Sequence, residues 1–154
     1  MRLVSADKHQ LVFEISDQQR LLLEHTLRRY PVEFEEAPIS RDAAEQLAAE
    51  TEMLHEALAE SRAENRRAIG SFLREPGRFE DFEHGCRLKL QRSKINWLLE
   101  VLNDIRVGYW NLLGRPELES FRADAEPDVT DRVFAMQLCA WFQMALLEAL
   151  EEED

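Results

Sequence analysis

Glycine and proline are scarce in this chain, five of each in 154 residues. That scarcity argues against a loop-rich sandwich, a collagen-like repeat or a long disordered tract. Cysteine is scarcer still. Cys86 and Cys139 are too few for a disulfide framework and lack the paired spacing of a zinc site. Basic residues are outnumbered, 19 Lys and Arg against 31 Asp and Glu, for a formal charge of −12. A long-range field of that sign disfavours sequence-independent attraction to nucleic acid or anionic lipid. Met1 to Gln10 hold charged groups and no apolar stretch of the signal-peptide kind. No apolar run reads as reaching the roughly 20 residues of a membrane helix. The expectation is a reduced, cytoplasmic, single-domain protein spanning residues 1–154 with no membrane contact.

Familiar chemical motifs are missing as well. There is no G-x-x-x-x-G-K-[ST], no G-x-G-x-x-G, no G-x-S-x-G elbow and no H-E-x-x-H pair. Neither a catalytic constellation nor a cofactor is therefore expected. No internal repeat of roughly 20 to 50 residues is evident.

Hydrophobic periodicity is present in abundance. Residues 1–15 read as a small β-hairpin, with the β-prone runs Arg2–Ser5 and Gln10–Ile15 around a polar turn. Ser16 and Gln19 form an S-x-x-Q capping box ahead of a helix through Leu21, Leu22, Leu23 and Leu27 that stops before Pro31. A connector marked by Pro31 and Pro38 leads to Ser40, read as the cap of a long helix over 41–73. Its apolar row runs Ala44, Leu47, Thr51, Leu54, Leu58, Ser61, Asn65, Ala68 and Phe72, small and polar in the middle. Residues 78–92 read as a short helix and a bend, although Arg87-Leu88-Lys89-Leu90 alternates like a strand. Helices follow over 93–113 and 129–150, separated by a polar loop over 115–127. The last is apolar nearly all round, so it must be central or lie in a subunit interface. The predicted fold is all-α, a bundle of four to five helices over 16–150 with the N-terminal β-hairpin and an acidic tail at 151–154.

Four features qualify as candidate sites. Glu52, Glu56, Glu60 and Glu64 stand at successive i, i+4 positions, a like-charged stripe costing about 0.2–0.5 kcal/mol per neighbouring pair. The stripe reads as a solvated face or as a docking face for a basic surface. Within the chain its best complement is Arg87, Lys89, Arg92 and Lys94. That cluster is small and lacks interleaved aromatics, so nucleic acid is an unlikely partner. Glu52 with His55, and Asp81 with His84, have the i, i+3 spacing of carboxylate–histidine metal ligands in helical bundles. Edge-packed or exposed histidines explain the same residues. Cys86 beside Arg87 has the electropositive setting of a reactive thiol, whereas Cys139 lies among apolar residues. Arg106 shares an apolar row with Trp110, so its guanidinium should find a carboxylate or stack on the indole.

Two C-terminal stretches carry a family resemblance. Leu102-Asn103-Asp104-Ile105-Arg106, running on to Leu113-Gly114, and Trp141-Phe142-Gln143, followed by Leu146-Leu147-Glu148-Ala149-Leu150, occur in that order. Together they resemble the bacterial domain-of-unknown-function family number two thousand and seventeen. Members also begin with a strand-rich segment leading into an acidic first helix, as over Leu11 to Leu27 here. The resemblance implies a small, mostly helical cytosolic protein without established catalytic residues, in a family with some links to regulation. The paired-cysteine element that would matter there has no counterpart, because Cys86 and Cys139 form no C-x-x-x-C pair.

The functional expectation is a non-enzymatic regulatory or adaptor-type interaction module for a protein partner, itself a homodimer through the final helix. Glu52, Glu56, Glu60, Glu64, Arg106, Trp110, Trp141 and Phe142 are its candidate interaction residues. The alternatives are a carboxylate–histidine metalloprotein and a transcriptional regulator acting through partner proteins.

Overall fold

The computed structural model describes residues 1–33, 41–117 and 126–151, with the backbone alone for 41–51. The Ser40 cap, the connector at Pro38, the side chains of Ala44, Leu47 and Thr51, residues 118–125 and the tail from 152 lie outside that description. Along the chain run β1 (Arg2–Ala6), β2 (Gln10–Ile15), α1 (Asp17–Leu27), α2 (Arg41–Arg74), β3 (Phe79–Phe82), β4 (Gly85–Gln91), α3 (Arg92–Leu112) and α4 (Pro127–Glu151).

The N-terminal hairpin forms as its sequence predicts. Asp7 Oδ1 accepts from the backbone N–H groups of His9 and Gln10, at 2.7 and 2.8 Å, and so closes the turn. The capping box forms too, with Gln19 N–H donating to Ser16 Oγ at 3.1 Å and Ser16 N–H donating to Gln19 Oε1 at 3.0 Å.

The all-α expectation is overturned between Arg78 and Arg92. This stretch is a second hairpin, β3–β4, and the protein is a mixed α and β fold with a four-stranded antiparallel sheet in the order β1-β2-β4-β3. Alternation over β4 outweighs the helical spacing of Phe79, Phe82 and Cys86. Cys86, Leu88 and Leu90 turn inward beside Leu11, Phe13 and Ile15 of β2, and together they form the apolar sheet face. Gly85 opens β4 at φ +143, and a Cβ there would collide with the Ile15 carbonyl oxygen. Read as a helix breaker, this glycine instead permits close approach of the two central strands.

A hairpin followed by a helix thus occurs twice, as β1–β2–α1 and β3–β4–α3. The second strand of each hairpin is central, and the two pair antiparallel. Buried Leu11, Phe13, Ile15, Leu23, Thr26, Leu27 and Tyr30 correspond, at one constant spacing, to buried Cys86, Leu88, Leu90, Leu98, Val101, Leu102 and Ile105. The repeat lies in the burial pattern instead of the residue identities, and its period exceeds the roughly 20 to 50 residues of solenoid repeats.

Helices α1 and α3 cover the apolar sheet face, and α4 runs antiparallel along α3, with Gln143 Nε2 donating to the Leu99 carbonyl at 3.2 Å. Arg29 on the turn after α1 ties three elements together. Its guanidinium donates to both Asp131 carboxylate oxygens of α4, at 2.7 and 2.9 Å, and to the Tyr109 hydroxyl of α3 at 3.3 Å. Asn65, which looked like a weak point in α2, is a junction. Its side-chain amide donates to the Tyr30 hydroxyl at 3.2 Å, and its carbonyl accepts from the Trp97 indole at 3.0 Å. Arg78 is nearly fully buried and donates to the Phe72 and Lys89 carbonyls and to Glu75, fastening the end of α2 to the sheet.

Candidate functional site

Helix α2 has 34 residues, about 51 Å at 1.5 Å per residue. The longest strand, β4, has 7, about 24 Å. The helix therefore outruns the sheet, and only its last turns, at Ile69 and Phe72, join the core. Met53, Leu54 and Leu58 are 72, 58 and 42% exposed. Periodicity placed Leu54 and Leu58 in a bundle core; both are exposed instead, and Leu58 only borders an open recess of about 260 Å³ shared with Val107 and Gly108 of α3. Glu52, Glu56, Glu60 and Glu64 are exposed along this helix, the first two on its projecting part and the last two where its other side faces α3.

The basic cluster does not answer the glutamate stripe. Arg87 faces Glu14 at 3.8 Å, Lys89 pairs with Glu80 at 2.8 Å, and Arg92 donates to the Asp7 carbonyl at 2.6 Å. These contacts belong to the polar face of the sheet and its edges, and the pairing holds the Glu80 carboxyl below its ordinary range.

Helix α4 is divided lengthwise. Ala135, Met136, Cys139, Phe142, Leu146 and Ala149 are buried, while Phe134, Trp141, Met144 and Leu147 are exposed by 47, 39, 60 and 47%. Of the interaction candidates here, Phe142 is therefore core, touching Trp141 edge-on at 4.9 Å between ring centres. Trp141 lies on the open face. The helix is also longer and more apolar than the sequence reading allowed. Among the described residues it is the one helix long and apolar enough to cross a membrane, with a mean hydropathy of 1.5 over its most apolar window, of which 33% is buried.

Arg106 and Trp110 do not stack. Arg106 donates to Asn103 Oδ1 at 3.1 Å, whereas Arg115 lies over the Trp110 ring at 5.7 Å and the indole N–H donates to the Pro116 carbonyl at 3.1 Å. Arg106 and Trp110 instead border a shallow recess of about 240 Å³ with Val107 and Met136.

Neither carboxylate–histidine pair gathers further ligands. Glu52 and His55 are exposed on the α2 arm, Asp81 is held by Arg20 at 2.9 Å, and His84 is in the exposed β3–β4 turn. Among the described residues no three His, Cys, Asp or Glu side chains converge as a metal site would require. Both cysteines are free and buried. Burial pushes the Cys86 thiol up, and that of Cys139 up to about 12. Alternation along β4 sends Arg87 to the opposite face of the sheet, and the cation beside Cys86 is Arg20 of α1, whose pull on the thiol is outweighed by burial.

Comparison with known protein families, with curated proteins and with solved structures finds no match for this chain.

Proposed function

We propose that the protein is a non-enzymatic interaction module that pairs with a second copy of itself through α4 and presents the α2 arm to a protein partner. The open apolar row of Phe134, Trp141, Met144 and Leu147 carries this reading. Exposed apolar surface of that extent marks a contact site, and a two-fold, self-complementary contact is the commonest way to cover it.

The helix dipole favours an antiparallel pair, in which the two dipoles oppose one another. A two-fold near Trp141 places Phe134 against the partner's Leu147. A membrane-spanning role for α4 is less favoured, because Cys139, Phe142 and Leu146 on its other face belong to the core. Beyond the dimer, Met53, Leu54 and Leu58 beside the glutamate stripe suit a partner surface that is apolar and basic.

Cysteine cross-linking tests the pairing. Under mild oxidation Trp141→Cys should form an interchain disulfide, whereas Phe134→Cys, about 20 Å from its symmetry mate by helical rise, should not. Cross-links at both positions would indicate a parallel pair, and none at either would remove the dimer.

A further inference from the structure

A cleft of about 530 Å³ opens between the end of α1 and the last turns of α2. Arg28, Arg29, Arg66 and Arg74 line it, and no Asp or Glu does so among the described residues. Leu27, Ile69 and Leu73 supply an apolar wall. In a chain of charge −12, such a concentration of one cation requires an account. Two of the four are occupied, Arg28 by Glu24 at 3.1 Å and Arg29 by Asp131. Arg66 and Arg74 have no ion-pair or hydrogen-bond partner among the described residues, and both are exposed.

Spacing adds a second observation. Arg66, Gly70 and Arg74 stand at i, i+4 and i+8, so they share one face of α2, with the glycine between the two guanidiniums. A mid-helix glycine lowers helix stability by about 1 kcal/mol relative to alanine. Packing does not require it here. A Cβ at Gly70 would meet only the flexible Arg74 guanidinium, at 3.1 and 3.3 Å, and no backbone. What the glycine does provide is room for the Arg74 guanidinium to fold back over α2 towards Arg66, beside the apolar wall.

We infer that this cleft binds a small organic phosphate. The phosphate is held between Arg66 and Arg74, and the apolar body of the ligand lies against Ile69 and Leu73. The cleft's cations are all arginine, whose planar fork matches the oxygens of a dianionic phosphate better than a lysine ammonium does. Its volume falls within the range of small-molecule sites.

Titration calorimetry with 1-naphthyl phosphate tests the inference on the intact protein. Saturable, submillimolar binding is expected, weakening as salt is raised. The neutral 1-naphthol and the monoanion 1-naphthoate should each bind at least about tenfold more weakly. Arg66→Gln and Arg74→Gln, both exposed and outside the core, should each reduce affinity by about tenfold or more. Gly70→Leu should leave the circular dichroism spectrum unchanged yet block the probe. Equal binding of naphthol and naphthyl phosphate, or wild-type affinity in both arginine variants, would overturn the proposal. Tighter binding of naphthoate would replace phosphate by carboxylate as the recognised group.

Discussion

Replacing Asp131 with Asn removes one charge from the contact that joins the turn after α1 to α3 and α4. The Arg29 side chain is 17% exposed and that of Asp131 is 56% exposed. The pair is therefore neither a surface salt bridge, worth about 0–1 kcal/mol, nor a fully buried one whose rupture costs about 3–5 kcal/mol. Two parallel N–H···O bonds place it above the surface case, and solvent around Asp131 screens it below the buried one. Without the carboxylate, Arg29 keeps Tyr109, His25 and one neutral bond to the amide oxygen in place of two charge-assisted ones. A loss of about 1–2 kcal/mol at neutral pH follows, or about 2–8 °C in Tm for a domain of this size. Arg29 holds the Asp131 carboxyl below its ordinary range. Stability from this pair is therefore present above the unfolded carboxylate value of about 3.9 and is lost as pH falls through the lower folded value. Urea unfolding of wild type and Asp131→Asn should give curves that differ at pH 7 and converge towards pH 2. A difference that stays constant over that range would refute the electrostatic origin, and a double-mutant cycle with Arg29→Met showing no coupling would refute the contact itself.

Three further outcomes can be checked with the same purified protein. Gly85→Ala should destabilise by about 3 kcal/mol or more, from positive φ and the collision with Ile15, and chemical denaturation would show it. Partial desolvation where α2 passes and the nearby Glu100 push the exposed Asp104 carboxyl up, against Arg62. Its ionised form is thus disfavoured in the fold, and stability falls as pH rises from about 4 through the folded value. Asp104→Asn should raise stability at pH 7 by a few tenths to about 1 kcal/mol, with the gain gone at low pH. Cys86 and Cys139 should resist iodoacetamide at pH 8 in the folded protein and react once it is unfolded, because both thiols are buried and hard to ionise.

Local signals in the sequence were the most dependable. The Asp7 turn, the Ser16–Gln19 box and the ends of α3 follow from short-range chemistry, and the structure contains them. The second hairpin was hidden by competition. Phe79, Phe82 and Cys86 keep helical spacing, and only partnership with β2, distant in the chain, decides for the strand. Leu54 and Leu58 illustrate a different limit. Periodicity shows that a helix has an apolar face but not that a neighbour packs closely enough to bury it. The division of α4 has the same origin, since apolar residues all round say nothing about which side meets α3. Arg78 gave no signal, being one more arginine in a charged chain until the end of α2 packs over β4. The Arg66–Gly70–Arg74 spacing carries no signal on its own, because the cleft it faces depends on where α1 ends against α2.

Light scattering on the chromatographed protein at tens of micromolar tests self-association through α4 most directly. Wild type should have a mass near twice 18.0 kDa, and Met144→Glu combined with Leu147→Glu should halve it without changing the circular dichroism spectrum. A wild-type mass of 18.0 kDa, or a dimer that survives both substitutions, would contradict the proposed interface.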